Sequence, residues 1–327
     1  MLDMLSLSLT NLTSPPILFF LLGLGAALLR SDLSIPETIG KSLAMYLMIA
    51  IGFKGGVEVA GHGFGGALFA SVVVGILLSF LLPLIAFGLL RFLSNLDVVN
   101  RAAIGAHYGS VSIVTFVTAV QYLEIQGLAY EPFLIAVVAL METPAIVTGI
   151  LLSQRAAQGQ SVKPIFSGYL VREVLLNGSV VLLVGAFFIG MISGENGKQA
   201  LEPFTGGLFT GILCLFLLDM GLVAGRRLLD AHLIRPGLVA FAILMPIIGA
   251  FAGLLGGVLA GLSVGGTALL ATLAASASYI AVPAAMRVAL PQANPGIYLT
   301  LSLAVTFPFN ITLGIPAYQA LAQMING

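Results

Sequence analysis

The chain has 327 residues, of which 59% are hydrophobic and only 8% charged, with 13 basic and 13 acidic side chains. Ordinary soluble domains carry roughly 25% charged residues, so the polar surface is too small for a cytosolic enzyme, a secreted domain or a nucleic-acid binder, and the balanced charge attracts no acidic partner. The single cysteine, Cys214, excludes a disulfide framework or a multi-cysteine metal site, and the alternating-polarity strands of an outer-membrane barrel are absent from the sequence.

What remains is an all-α polytopic membrane protein. A spanning helix needs about 20 mostly apolar residues. Ten segments qualify: 14–30, 36–57, 65–90, 98–124, 131–152, 170–192, 201–223, 236–261, 266–288 and 296–322. No lysine or arginine precedes Arg30, so the first span is expected to be retained rather than cleaved as a signal peptide. The second holds Lys54. The fourth breaks its apolar run at Gly105-Ala106-His107-Tyr108-Gly109-Ser110-Val111-Ser112, and the fifth centres on Met141-Glu142-Thr143-Pro144. The seventh holds Cys214, read as small packing, and Asp219. The ninth contains Ala274-Ala275-Ser276-Ala277-Ser278-Tyr279, and the tenth Thr306-Phe307-Pro308-Phe309-Asn310-Ile311-Thr312. His62 and His232 fall in loops.

Eleven of the 13 basic residues lie in odd-numbered loops or in the span ends that flank them; Lys54 and Lys198 are the exceptions. The positive-inside rule then makes odd loops cytoplasmic and puts both termini outside a cell inner (plasma) membrane.

The two halves repeat. Pro36 and Pro203 are 167 apart, Gly56 and Gly221 165, Gly109-Ser110-Val111-Ser112 and Ala275-Ser276-Ala277-Ser278 166, and Pro144 and Pro308 164. Each unit has five spans, an odd number, so the second (161–327) enters the membrane inverted relative to the first (1–160). Inverted repeats are a transporter design, with the substrate near the midplane between discontinuous helices.

The small and hydroxyl residues of spans four and nine read as breaks, the first near 107–110, each followed by a second half-helix. Serine caps such a start and glycine tolerates the backbone before it. The freed N–H groups and positive dipole ends would hold a small anion. Helix–helix packing is the alternative use of such residues. Glu142, at membrane depth, is a functional candidate. With the carbonyl that Pro144 frees, it suits a Na⁺ shell of hard oxygens; a proton-coupling carboxylate or a structural partner of a buried donor is the other possibility. Asn310, Thr306 and Thr312 offer neutral oxygens in span ten. Lys54 and Asp219 hold equivalent repeat positions with opposite charge, as gate or interface groups or as side chains that snorkel at helix ends. No nucleophile–base set or nucleotide loop appears, and the chain is not read as an enzyme.

The run Ala275 to Arg287, its continuation through Ala289 to Pro295 and Thr306 to Asn310, and Ile35-Pro36-Glu37 with Pro144-Ala145 in the first half resemble the sodium-dependent bicarbonate transporter family. The resemblance covers nearly the whole chain. It implies ten spans in two inverted repeats, with a gate part (spans 1, 2, 6, 7) and a moving core (spans 3–5, 8–10). It also implies a homotrimer, Na⁺-coupled bicarbonate uptake and a cytoplasmic PII-like regulator. Carried over by position, the anion lies between Gly109, Ser110, Val111 and Ser112 on one edge and Ala275, Ser276, Ala277 and Ser278 on the other. Na⁺ lies nearby, with Glu142, Thr115 and Asn310 as ligands. The chain departs from the family pattern at Ile113-Val114, where Gly-Ser is expected, and at Glu142, where aspartate is. Those departures keep open another small anion or carboxylate as substrate. A non-transporting anion receptor or scaffold is the reading from a different class.

Overall fold

The computed structural model describes residues 12–62, 65–156, 178–229 and 235–326. Among these residues all regular structure is helical. In the first half the helices are α1 (Pro15–Leu28), α2 (Glu37–His62), α3 (Gly66–Leu93), α4 (Val98–Gly109), α5 (Ile113–Ile125) and α6 (Leu134–Ala156). The second half has α7 (Gly178–Glu202), α8 (Phe209–Leu229), α9 (Pro236–Leu259), α10 (Val264–Ala275), α11 (Ala281–Ala289) and a last helical stretch, α12 (Pro295–Asn326).

Local chemistry sets the ends. Prolines open α1, α9 and α12, where the missing N–H costs nothing. Asp97 caps α4 by accepting from Asn100 N–H at 2.9 Å, and Ser263 caps α10 through Gly266 N–H at 3.1 Å. Gly127 (φ 67°) and Gly261 (φ 71°) turn the chain after α5 and α9 in the left-handed region.

Seven helical stretches among the described residues are long and apolar enough to cross a membrane. One of them, Val181–Leu229, has 49 residues. At 1.5 Å per residue it would measure about 70 Å if straight, more than twice a hydrocarbon core of about 30 Å. It is interrupted by Gly194 (φ 55°, ψ −150°) and by the wide turn Pro203–Gly207. Two apolar helices are shorter, Pro15–Leu28 and Val264–Ala275. Large apolar side chains face outward along the helices, among them Leu22, Phe69, Leu77, Ile192, Phe251 and Leu259. This is the surface of a multi-pass membrane protein; in water it would be a far larger apolar patch than a soluble monomer tolerates. The start of the sixth predicted span, 170–177, lies outside the described residues, as do Lys163, Arg172 and His232.

Packing sorts the helices into groups. α1 lies against α8, and α2 against α7. A Cβ on Gly23 would fall 2.1 Å from the Leu218 carbonyl oxygen, and one on Gly221 2.1 Å from that of Phe20. The α2–α7 crossing repeats this: Gly190 meets the carbonyl of Phe53 at 2.1 Å and Gly56 that of Phe187 at 1.9 Å. Gly23 and Gly190 are 167 residues apart, Gly56 and Gly221 165. Backbones approach this closely only where glycine removes the side chain, the small-residue packing of membrane helices.

The remaining helices form two further sets, α3 with α4 and α6, and α9 with α10 and α12. They are tied across the halves at their ends. Ser263 N–H donates to Glu131 Oε1 at 2.7 Å, and Asn294 N–H donates to Asn100 Oδ1 at 2.8 Å.

Candidate functional site

Two interruptions of helix meet in the interior. The first leaves α4 at Gly109 and resumes at Ile113. Ser110 (φ −89°, ψ 176°) and Ser112 (φ −99°, ψ 111°) are extended. Gly109 is required where α4 crosses α3, since a Cβ there would stand 2.2 Å from Pro83 Cγ. The interruption falls at 110–112, slightly later than the 107–110 read from the sequence. Ser112 fixes the position: its hydroxyl accepts Thr115 N–H at 3.1 Å and so defines the start of α5. The second interruption runs from Ser276 (φ −83°, ψ 165°) to Ile280, and Ser278 Oγ accepts Val282 N–H at 3.4 Å in the first turn of α11.

The interruptions are bonded to each other. Ser112 N–H donates to Ser276 Oγ at 2.9 Å, and the Ser276 hydroxyl donates to the Leu273 carbonyl at 2.8 Å. Ser278 N–H donates to the His107 carbonyl at 2.8 Å. Ser110, the counterpart of Ser276, is buried with no partner for its hydroxyl among the described residues. The two breaks therefore match in sequence but not in their bonds.

A narrow cleft lies here, lined by Val111, Ser112, Ile113, Glu142, Ser278, Tyr279 and Ile280. Both α5 and α11 start at its wall. The N–H groups of a helix's first turn have no acceptor within their own helix, so Ile113 and Ile280 bring backbone donors and two positive helix ends to one place. Glu142 adds a carboxyl group to the same wall. Its side chain is buried, and among the described residues no basic group pairs with it.

The other predicted site residues divide. Ala275 and Ala277 are buried beside the second break. Thr115 is buried in the first turn of α5, one turn from Ser112. Asn310 is occupied at both ends: Nδ2 donates to the Ala275 carbonyl at 2.9 Å, and Oδ1 accepts from Tyr318 OH at 2.8 Å. Thr306 donates to the Ala242 carbonyl at 2.7 Å and accepts from Tyr108 OH at 2.6 Å. Neither Asn310 nor Thr306 lines the cleft that holds Glu142. Both sit in α12, where wide turns at Leu301–Thr306 and Asn310–Gly314 flank Pro308, a residue that cannot donate to the helix ladder. His107 is packed rather than lining the cleft: its ring stacks on Tyr298 at 4.2 Å and Nδ1 donates to the Ala103 carbonyl at 2.7 Å.

Lys54 and Asp219 are not partners. Lys54 Nζ lies 4.8 Å from the Phe209 ring centre, while the Asp219 carboxylate lies against Gly40, 2.3 Å from where a Cβ would stand. Three wall residues went unremarked in the sequence as site residues: Ile113, Tyr279 and Ile280. Their signal was adjacency, since each immediately follows a capping serine or its neighbour.

Residues 15–323 match the model of the Na⁺-dependent bicarbonate transporter superfamily. A search of the curated proteins found no match.

Proposed function

The chain belongs to the Na⁺-dependent bicarbonate transporter superfamily, and from that premise we propose that it is a secondary active transporter that takes up bicarbonate together with Na⁺. In this reading ten spans form two inverted repeats, 1–160 and 161–327. The gate is α1, α2, α7 and α8; the core is α3–α6 and α9–α12. The glycine crossings of α1 on α8 and α2 on α7, related by an offset of 165–167, support that division. Eleven of 13 basic residues in odd loops or the span ends that flank them support an inner-membrane orientation with both termini outside. A homotrimer and a cytoplasmic PII-like regulator complete the family-based expectation.

The observation that carries the proposal is the pairing, in one small cleft, of two helix starts with a buried carboxylate that has no counter-ion among the described residues. Each helix end acts as about half a positive charge. Glu142 and bicarbonate together bring two negative charges, and one Na⁺ removes one of them. The two helix ends offset the other. Without Na⁺ a full negative charge stays unbalanced at membrane depth, which costs several kcal/mol. Coupling follows: the anion enters favourably only with the cation. Glu142 and Thr115 are the proposed ligands of Na⁺, with Asn310 and Thr306 contributing only if they release their present partners. The anion is held by the backbone at Gly109–Ser112 and Ala275–Ser278.

A second substrate keeps a place for one reason. Val111 and Ile113 make part of the cleft wall apolar, which suits a small carboxylate with a short apolar tail. Uptake of labelled bicarbonate into proteoliposomes separates the two. Accumulation driven by an inward Na⁺ gradient supports bicarbonate. Uptake of another anion without bicarbonate uptake removes it, and dependence on a proton gradient alone recasts Glu142 as a proton carrier. Anion binding without any flux favours the receptor reading.

A further inference from the structure

A second narrow cleft opens where α2, α5 and α8 meet the link before α6. Its charged and polar lining is Lys54 and Glu58 from α2, Glu124 from α5 and Tyr130 from the link, with Phe209 of α8 beneath. Glu58 is committed elsewhere, paired with Lys198 at 2.9 Å. Lys54 is half-buried and, among the described residues, has no acidic partner within ion-pair distance; its ammonium rests on Phe209. Glu124 accepts only a long bond, 3.4 Å, from Tyr130 OH. Two opposite charges, without an ion-pair partner among the described residues, thus face one narrow space from α2 and α5.

We propose that Lys54 and Glu124 form an ion pair that closes this mouth of the protein in the alternate position of the core. Two negative carboxylates beside one lysine make the cleft a poor anion trap, so Lys54 is not read as a docking point for substrate. A lysine in a spanning helix costs least when it is paired, and the partner lies across the seam between α2 and α5. The cation–π contact with Phe209 holds the ammonium meanwhile, which keeps both positions of the side chain accessible. In the second half the position equivalent to Lys54 carries Asp219, so the opposite mouth cannot use the same pair. The charge asymmetry lets each side close on its own terms.

The inference rests on the proposed movement of core against gate, and the test separates the two. Na⁺-driven anion uptake is measured for the wild type and for K54E, E124K and the exchanged double variant K54E/E124K, each corrected for membrane abundance. Each single reversal puts like charges at the closing mouth and is expected to slow uptake about tenfold, while the exchange restores it to within about threefold of wild type. A double variant no faster than the slower single variant overturns the ion pair. K54Q and E124Q guard against misfolding of the reversals: their losses should fail to add in K54Q/E124Q, and full additivity also overturns the pair. Absence of uptake by the wild type would instead count against the transporter reading itself.

Discussion

The backbone N–H of Ser112 donates to the hydroxyl of Ser276, 164 residues away, at 2.9 Å. This bond joins the two helix breaks on which the proposed anion site is built. It also fills, with the protein's own oxygen, a donor that an incoming anion could use.

Removing that oxygen gives a directional expectation. In S276A, Ser112 N–H loses its acceptor, and an unsatisfied buried donor costs about 1–3 kcal/mol. The ligand-free protein should melt lower than wild type. Bicarbonate with Na⁺ should recover more stability in the variant than in wild type, because the anion supplies the missing acceptor. Equal ligand-induced shifts in Tm for the two proteins would detach Ser276 from the site.

Bulk at the helix starts tests occupancy. Tryptophan in place of Ser112 or Ser278, both in the cleft wall, fills the cleft and should abolish anion binding. S278A keeps the space and loses only the cap on Val282 N–H, a cost of about 1 kcal/mol. Retained binding in the tryptophan variants would move the anion elsewhere.

Gly109 tests the packing that positions the first break. A Cβ there stands 2.2 Å from Pro83 Cγ and 2.4 Å from its Cδ. Because the ring is rigid, G109A must push α3 and α4 apart, at about 1–3 kcal/mol. Gly25 is the control: nothing lies within 4 Å of its would-be Cβ, so G25A should leave Tm unchanged or raise it slightly. The comparison needs only thermal unfolding in detergent.

Asp97 gives the pH dependence. It lies just before α4, outside the spanning segment. Burial raises its pKa, but bonds from Asn100 N–H at 2.9 Å and Asn100 Nδ2 at 2.6 Å outweigh burial and hold the carboxyl below the ordinary aspartate range. A depressed pKa means stability that is present above the unfolded value of about 4 and lost as pH falls through the folded one. D97A should therefore destabilise at pH 7 by about 1 kcal/mol, and the gap to wild type should narrow as pH drops below about 4. A gap that is constant across that range would show that the charged form contributes nothing.

Much of this arrangement was legible in the sequence because it repeats. Ser110 and Ser112 gain meaning from Ser276 and Ser278 at the same offset, and Glu142 stands out as an acid in an apolar run. What escaped depends on three dimensions. Gly23 and Gly190 also share an offset, but a lone glycine in an apolar span carries no visible reason until the carbonyls of Leu218 and Phe53 are seen against it. The division of Val181–Leu229 was legible from the polar run Ser193–Gln199 between the predicted spans; the sequence did not show that the chain stays helical across it, bending at Gly194 and at Pro203–Gly207. Asn310 and Thr306 looked available as cation ligands because residue type shows oxygen atoms; it does not show that Tyr318, Ala275, Tyr108 and Ala242 already use them.

Linkage between Na⁺ and the anion bears most directly on the proposed function. Titration calorimetry of bicarbonate into the purified protein, in Na⁺ and then in choline, measures it with no assumption about flux. The expected result is binding at least about tenfold tighter in Na⁺, with Na⁺ affinity raised by the same factor in bicarbonate, as reciprocity requires, and with both effects lost in E142Q. Equal bicarbonate affinity in the two salts, or full coupling in E142Q, would contradict a site in which Glu142, one Na⁺ and two helix starts balance the charge of the anion.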